Sequence, residues 1–378
     1  MVQDRKNRKI KSKWYVRRGN CHVKIIKTFA QKAEVFMFNR DIEARKMEGS
    51  KEQLKFIDLF AGIGGIRIAF ERAGAKCVFT SEWDKACQQM YEANFGEKAV
   101  GDITKIDAKD VPDHDILTAG FPCQTFSIIG ERQGFADTRG TLFFEVERII
   151  SAKRPKAFLL ENVKQLVTHD KGRTFKVILQ KLDKLGYFIH YKILNGLDFG
   201  IPQKRERIII VGFNENFPFR FPSRGNGKVL TLDDILEPDE KVDKKHFLSD
   251  YMLKKLKEKV PNPPRGLTVW HENKAGNIGI HRFSCALRAN GSYNYLMVSG
   301  KRRLTPREML RLQGYPDSFK IVVNDSEARK QAGNSVVIPK IEAVAKAMIE
   351  ALNQKPIEAP IQSDLFSQNK LERVYAAK

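Results

Sequence analysis

Apolar residues in the first half of the chain form short runs, separated by turn residues and by helical patterns. The run at residues 56–60 predicts a buried strand, and Gly62, Gly64 and Gly65 predict a tight turn directly after it. Apolar residues then recur at helical spacing up to Gly74, and residues 76–80 predict a second strand. The order strand, glycine turn, helix, strand is typical of an α/β protein with an open sheet.

Further runs extend this pattern along the chain. Residues 116–119, 157–163 and 208–211 predict buried strands, and residues 333–352 predict a helix near the C-terminus. The apolar side of that helix comprises Ile338, Ile341, Val344, Ala345 and Met348. We expect the helix to pack back on the sheet, which makes the large domain discontinuous in sequence.

Charge narrows the class of partner. The chain has 378 residues, and its 67 Lys and Arg exceed its 45 Asp and Glu, giving a formal net charge of +22. This excess favours nucleic acid as a partner, the alternative being a basic protein without that function. The five cysteines lack the spacing of metal ligands, so we expect no metal. The sequence also shows neither a signal peptide nor an apolar stretch of about 20 residues. We therefore expect a cytoplasmic protein.

Reactive side chains lie at the ends of the predicted strands. Cys123 follows Pro122 in a loop after strand 116–119, at the edge where open α/β sheets bind ligands. A small buried hydrophobe is the alternative for a lone cysteine. Glu161 lies near the end of strand 157–163, although a helix N-cap is also compatible with this position. The alternating residues Gln203, Arg205 and Arg207 should project from one face of a strand, or form an ordinary charged strand end.

The glycine turn has features of a nucleoside site. Its spacing is not that of a dinucleotide fingerprint and no lysine is placed for phosphates, so a nucleoside without pyrophosphate fits better. Glu82, at the end of the second strand, is positioned for ribose hydroxyls. Trp83 offers a face for adenine and Asp102 an acceptor for its amino group. A purely structural turn is the alternative.

Six motifs in order resemble those of bacterial DNA (cytosine-5)-methyltransferases of type II restriction-modification systems. They are DLFAGIGG (58–65), GFPCQTFS (120–127), ENV (161–163), QKRER (203–207), RLTPREMLRLQGYPDSF (303–319) and GNSVV (333–337). The resemblance covers about residues 54–353. It implies a Rossmann-like methyltransferase sheet with a second, smaller target-recognition domain.

The resemblance also implies roles for individual residues. Cys123 matches the nucleophile that attacks carbon 6 of a flipped-out cytosine, Glu161 the acid that contacts N3, and Arg205 and Arg207 the pair near the base. The residues that match positions holding S-adenosyl-methionine are Phe60, Gly62, Gly64, Glu82, Trp83, Asp102, Pro122, Leu142 and Asn334. The loop at residues 121–141 is expected to close over the DNA.

Double-stranded DNA is the expected substrate of a monomeric enzyme, with a cognate restriction endonuclease as a functional partner. Residues 265–301 are expected to read the target sequence. The predicted DNA contacts are Gln124, Ser127, Arg139, Gln203, Arg288 and Asn290. An RNA cytosine methyltransferase and a catalytically silent DNA-binding relative are the alternatives.

The predicted domain organisation has four parts. Residues 1–53 form a basic extension, either an arm that binds phosphates or a segment without function. The catalytic domain comprises residues 54–235 and 321–353, and the target-recognition domain with its hinge comprises residues 236–320. Residues 354–378 form a polar tail.

Overall fold

The computed structural model describes residues 53–122, 142–225, 227–289, 291 and 295–358. All of them belong to the unit formed by Gln53–Lys378. Its first part consists, in chain order, of β1 (Lys55–Leu59), α1 (Gly65–Arg72), β2 (Lys76–Ser81), α2 (Lys85–Phe95), β3 (Ile116–Ala119), α3 (Leu142–Lys153), β4 (Ala157–Val163), α4 (Arg173–Lys184), β5 (Phe188–Asn195), β6 (Gln203–Lys204) and β7 (Glu206–Phe213).

A six-stranded sheet organises this part, with the strand order β2-β1-β3-β4-β7-β5. Strands β2, β1, β3 and β4 are mutually parallel, whereas β7 is antiparallel to both of its neighbours, β4 and β5. This parallel-dominated sheet confirms the predicted α/β fold class. The predicted strands at 56–60, 76–80, 116–119, 157–163 and 208–211 appear as β1, β2, β3, β4 and β7.

Helices cover both faces of the sheet, which is why its central strands are apolar on both sides. On one face Phe56 packs with Phe70 of α1. On the other, Ile57 belongs to a cluster with Val146 of α3 and Ile178 of α4. All four residues of β3 are buried.

The second part carries two small sheets. Its elements are α5 (Leu232–Ile235), α6 (Asp250–Lys259), β8 (Val269–Glu272), β9 (Ile278–His281), β10 (Ser284–Cys285), β11 (Leu296–Val298), β12 (Arg302–Arg303), α7 (Pro306–Arg311), α8 (Asp325–Asn334) and α9 (Ile338–Leu352). Strands β12-β11-β8-β9 form an antiparallel sheet, while β10 pairs in parallel with β6. Trp270 of β8 is packed closely enough against Gly300 that a Cβ there would lie 2.7 Å from its ring.

Helix α9 returns the chain to the large sheet, as predicted. Ile341, Val344 and Met348 are fully buried in the same cluster as Phe56 and Phe70. Among the described residues, no helix is both long and apolar enough to cross a membrane.

Candidate active site

One edge of the large sheet gathers the predicted site residues. Because β1, β2, β3 and β4 are parallel, their carboxyl ends meet along this edge. The amino end of antiparallel β7 reaches the same edge, where Arg207 lies opposite Val163. Strand topology alone therefore brings Arg207 beside Glu161, from which it is separated by 46 positions in sequence.

The turn after β1 has an unusual backbone. Phe60 and Gly62 adopt left-handed conformations, with φ of 56° and 57°. Gly64 (φ 81°) is the N-cap of α1 and contributes no side-chain cap, so the cap residue itself satisfies none of the first-turn N–H groups, which form the positive end of the helix dipole. A Cβ at Gly64 would lie 2.3 Å from the Phe95 ring. Glycine is thus required here both for conformation and for close packing.

Glu82 anchors the turn to the end of β2. Its carboxylate accepts hydrogen bonds from the backbone of Gly62 (2.7 Å) and of Asp84 (2.8 Å). Burial raises the pKa of this carboxyl group. Each carboxylate oxygen thus accepts one backbone hydrogen bond and can accept another, as from a ribose hydroxyl.

Next to Glu82 the Trp83 side chain is 74% exposed, which is rare for so large an aromatic ring. The following residue, Asp84, caps α2 and forms a 2.9 Å ion pair with Lys330 of α8. Trp83 is therefore held between two fixed residues while its ring faces solvent. Such a ring is suited to stacking against an aromatic ligand.

Asp102 lies beside this pair because Val100 forms a parallel bridge with Ser81. The backbone N–H and the side-chain hydroxyl of Thr104 both donate to the Oδ1 atom of Asp102. The other cofactor candidates lie at element ends: Leu142 begins α3, and the exposed Asn334 ends α8. Its neighbour Ser335 would touch a Cβ added at Gly65, at 2.8 Å, which places Asn334 near the glycine turn.

These groups fit an adenosine-type ligand. The glycine turn, Glu82, Trp83 and Asp102 supply backbone N–H groups, carboxylate acceptors and an exposed ring along one sheet edge. None of them places a cation for phosphates, in keeping with the prediction of a nucleoside without pyrophosphate.

The segment that leads to Cys123 is fixed to β4. The side-chain amide of Asn162 donates a 2.9 Å hydrogen bond to the carbonyl oxygen of Phe121. Pro122, the next residue, is exposed. Cys123 itself lies outside the described residues, as do the predicted DNA contacts Gln124, Ser127, Arg139 and Asn290.

Glu161 lies at this point of the edge, 8% exposed. Its Oε1 atom is 3.3 Å from Nε of Arg207, a geometry that forms an ion pair without a hydrogen bond. Glu161 and Asn162 are the last two buried residues of β4, so Glu161 belongs to a strand rather than to a helix cap. The strand interpretation of residues 157–163 is confirmed, and the N-cap alternative is wrong.

Gln203, Arg205 and Arg207 differ from the prediction of one continuous strand. Gln203 and Arg205 are buried and the side chain of Arg207 is 14% exposed, but Gln203 belongs to β6 and β7 begins only at Glu206. Gln203 is fully buried, and its amide donates to the carbonyl of Leu312 and accepts from the backbone of Leu287. The predicted contact between Gln203 and DNA is contradicted by this burial.

Arg205 has an internal role in the described structure. Its guanidinium donates to the carbonyl oxygens of Leu287 (2.7 Å), Gly333 (3.0 Å) and Ser335 (2.6 Å). Burial, with the neighbouring charge of Arg207, lowers the pKa of Arg205 to about 9. The side chain therefore joins three segments that are distant in sequence, and the expected place of Arg205 in the pair near the base stays a prediction.

Sequence reasoning missed Lys340, which is fully buried in α9. The helical period predicts that residue 340 lies on the buried side of the helix, because it precedes the apolar residues Val344 and Met348 by four and eight positions. Arg288, a predicted DNA contact, is exposed, with its guanidinium 5.8 Å from the centre of the Tyr295 ring, and the contact stays a prediction.

Comparison with known proteins agrees with this geometry. The family model for C-5 cytosine-specific DNA methylases matches residues 54–350. Type II methyltransferase M.HaeII of Haemophilus aegyptius is 59% identical over 306 residues, which cover 80% of this chain and 95% of that protein. Type II methyltransferase M.NgoBI of Neisseria gonorrhoeae is also 59% identical, over 292 residues that cover 77% of this chain and 92% of the relative.

A solved structure shares the fold at lower identity. The S. pombe Dnmt2 methyltransferase has a TM-score of 0.64 at 21% identity, and the match covers 80% of this chain and 100% of that one. The family match and the two close relatives extend over most of the sequence. The chain belongs to the C-5 cytosine-specific DNA methylase family and is a DNA (cytosine-5)-methyltransferase.

Proposed function

We propose that the protein methylates carbon 5 of a flipped-out cytosine in a short duplex DNA target and thereby protects host DNA from a cognate restriction endonuclease. This is the reaction of enzyme class EC 2.1.1.37. The names of the type II relatives support the restriction-modification role. The observation that carries the mechanism is the Glu161–Arg207 pair, which the Asn162–Phe121 hydrogen bond holds beside the segment entering Cys123.

In this proposal Cys123 is the nucleophile. Carbon 5 of cytosine is a poor nucleophile, and a bond from the thiolate to carbon 6 makes it enamine-like. Glu161 hydrogen-bonds N3 and the exocyclic amine and so disperses the negative charge that the attack places in the ring. Arg207 binds the oxygen at carbon 2, and its ion pair with Glu161 keeps the two groups next to each other.

Bound S-adenosyl-methionine supplies an electrophilic methyl group on a positively charged sulfur. The residues assigned to hold it are Phe60, Gly62, Gly64, Glu82, Trp83, Asp102, Pro122, Leu142 and Asn334. Glu82 accepts the ribose hydroxyls, Trp83 stacks on the adenine and Asp102 accepts its amino group. The uncapped start of α1 attracts the carboxylate of the amino-acid part. The proton at carbon 5 is then removed, and the bond between carbon 6 and the Cys123 sulfur breaks. This releases the thiolate and completes the reaction.

Recognition of DNA is assigned to the part of the chain that carries the antiparallel sheet. The separate sheet β12-β11-β8-β9 supports a recognition domain at residues 236–320 beside a catalytic domain at 54–235 and 321–353. Arg288 is an exposed residue of this recognition domain and is assigned a DNA contact. The other assigned DNA contacts are Gln124, Ser127, Arg139 and Asn290. One such domain is expected to read one target sequence, and the enzyme is assigned as a monomer.

Trapping with 5-fluorocytosine tests the mechanism. Sequencing of methylated cytosines in a host that expresses the gene identifies the target, which is then synthesised as a duplex with 5-fluorocytosine at the methylated position. Wild-type enzyme should form a denaturation-resistant adduct when cofactor is present, and Cys123→Ser should form none. An adduct on C123S would overturn the assignment, and transfer to tRNA but not to duplex DNA would favour the RNA alternative.

A further inference from the structure

An ion pair joins two separate segments of the candidate cofactor site. The Nζ atom of Lys330 in α8 lies 2.9 Å from Oδ2 of Asp84, which directly follows the exposed Trp83. The two charged residues are 246 positions apart in sequence. Lys330 is thus a long-range link and not a solvated charge on a helix surface.

Asp84 is already fixed where it meets the ammonium. Its Oδ1 atom accepts hydrogen bonds from the backbone N–H groups of Ala86 (2.9 Å) and Cys87 (3.1 Å) and so caps α2. Lys330 is held as well, because Oε2 of Glu327, one turn earlier in α8, lies 3.3 Å from the same Nζ atom. Loss of side-chain freedom is the usual cost of a partly exposed ion pair, and here both partners are restrained by other contacts.

A chain of hydrogen bonds leads from Asp84 to the glycine turn. The backbone N–H of Asp84 donates to Oε1 of Glu82 (2.8 Å), and Oε2 of Glu82 accepts from the N–H of Gly62 (2.7 Å). Through Asp84, Lys330 is therefore connected to the carboxylate that is assigned to the ribose. A shift of Asp84 would also move Trp83, which lies between Glu82 and Asp84 in the chain.

Helix α8 carries a further assigned cofactor residue. Asn334 lies four positions after Lys330 and hence on the same side of the helix. The next residue, Ser335, reaches the glycine turn, where its Oγ atom would lie 2.8 Å from a Cβ at Gly65. The end of α8 is thus fixed against the glycine turn by Ser335 and against the end of β2 by Lys330.

We propose that Lys330 is a positioning residue for S-adenosyl-methionine and that its ion pair with Asp84 sets the distance between the two sides of the cofactor site. One side carries Glu82 and Trp83, and the other carries Asn334. The inference rests on the cofactor roles proposed above. Lys330 acts through these residues and not by contact with the ligand, so removal of the ion pair should weaken cofactor binding and leave the chemistry of the bound cofactor intact.

A double-mutant cycle on cofactor affinity tests the proposal. Lys330→Met removes the ammonium, and Asp84→Asn removes the carboxylate charge but keeps a residue type that caps helices well. Each single variant should bind S-adenosyl-methionine about fivefold more weakly than the wild type, and the D84N/K330M variant should be no weaker than either. Isothermal titration of the four full-length proteins measures these affinities. Losses that multiply in the double variant, or wild-type affinity in either single variant, would overturn the proposal.

Salt distinguishes the ion pair from packing of the lysine side chain. The ratio of the Kd of K330M to that of the wild type should approach one between about 50 mM and about 500 mM NaCl, because salt screens partly exposed charges. A ratio that does not change with salt would contradict the proposal. Lys346→Met is the control, since Lys346 pairs with Glu342 within α9, and it should keep wild-type affinity at each salt concentration.

Steady-state kinetics provide a second readout. In K330M the KM for S-adenosyl-methionine should rise, whereas kcat at saturating DNA and cofactor should stay within about twofold of the wild-type value. A fall in kcat at unchanged KM would overturn the proposal.

Trp83→Ala separates this inference from the proposed function. Weaker binding of S-adenosyl-methionine by W83A, together with wild-type affinity in K330M, would refute the role of Lys330 alone. Wild-type affinity in W83A would refute the assigned cofactor site, and the inference about Lys330 with it.

Discussion

The side-chain amide of Asn162 donates a hydrogen bond of 2.9 Å to the carbonyl oxygen of Phe121, and Asn162 is 3% exposed. This bond connects the end of β4, directly after Glu161, to the chain two residues before Cys123. Beyond the backbone pairing of β3 with β4, this side-chain bond joins the segment that leads to the proposed nucleophile to the residue after the proposed acid. The relative position of the two groups should therefore depend on it.

We expect Asn162→Asp to lower kcat by about tenfold or more, because misplacement of reacting groups is costly and a carboxylate repels the Phe121 carbonyl. Cofactor affinity should change less than kcat, since Pro122 is the cofactor residue next to this bond and the glycine turn and Glu82 are not involved. Loss of the buried bond should also lower the free energy of unfolding by about 1–3 kcal/mol. Steady-state kinetics and denaturant unfolding measure both effects.

Asn216→Asp is the matched control, because the Asn216 amide also donates to a carbonyl, that of Ile357, but at the surface. N216D should retain wild-type kcat. Equal kcat values for N162D and the wild type would show that the Asn162–Phe121 bond does not position the Cys123 segment.

Trp83 and Tyr251 are both 74% exposed, which makes them a matched pair. Neither ring contributes much to the core, so Trp83→Ala and Tyr251→Ala should each change the free energy of unfolding by less than about 0.5 kcal/mol. If Trp83 stacks on adenine, W83A should weaken cofactor binding about tenfold, an effect of about 1.4 kcal/mol. Isothermal titration with S-adenosyl-methionine tests this, and equal affinities of W83A and Y251A would remove Trp83 from the cofactor site.

Local pattern was sufficient to predict the elements that build the sheet edge. The strand at 157–163 coincides with β4 because its apolar run is buried on both sides and ends at polar residues. The glycine turn was equally readable, since left-handed backbone at Gly62 and Gly64 favours this residue type. These features depend on neighbours within a few positions in the chain.

The rest depends on residues far apart in sequence. Residues 203–207 divide between two sheets because Gln203 pairs with Ser284, 81 positions later. Arg205 bonds to carbonyls at 287, 333 and 335, none of which its own motif encodes. The helical period indicated that Lys340 lies on the buried side of α9, but its electrostatic neighbours became evident only in the folded structure.

The three carbonyl bonds of Arg205 predict that it is needed for folding. A lysine ammonium in Arg205→Lys cannot reach the oxygens of Leu287, Gly333 and Ser335 from one position, because it lacks the planar fork of the guanidinium. Each buried carbonyl left unpaired costs about 1–3 kcal/mol. R205K should therefore lower the free energy of unfolding by several kcal/mol, whereas Arg220→Lys at an exposed position should be neutral. Comparable unfolding curves for the two variants would contradict the structural role.

Lys340 should limit the stability of the wild-type protein in a pH-dependent way. Its pKa is lowered from 10.5 in the unfolded chain to about 7 in the folded protein, so the unfolded state binds more protons between these values. The stability of the wild type therefore falls as pH decreases from 10.5, by about 1.4 kcal/mol per unit of pH, and the loss is complete below about 7. Lys340→Met removes this loss, so K340M should be more stable than the wild type near neutral pH, with a difference that narrows as pH rises. Urea unfolding at about pH 6.5, 8 and 9.5 measures this difference in the free energy of unfolding. The exposed Lys346→Met in the same helix is the control. A difference between K340M and the wild type that is constant or widens with pH would show that the Lys340 amine stays protonated in the folded protein.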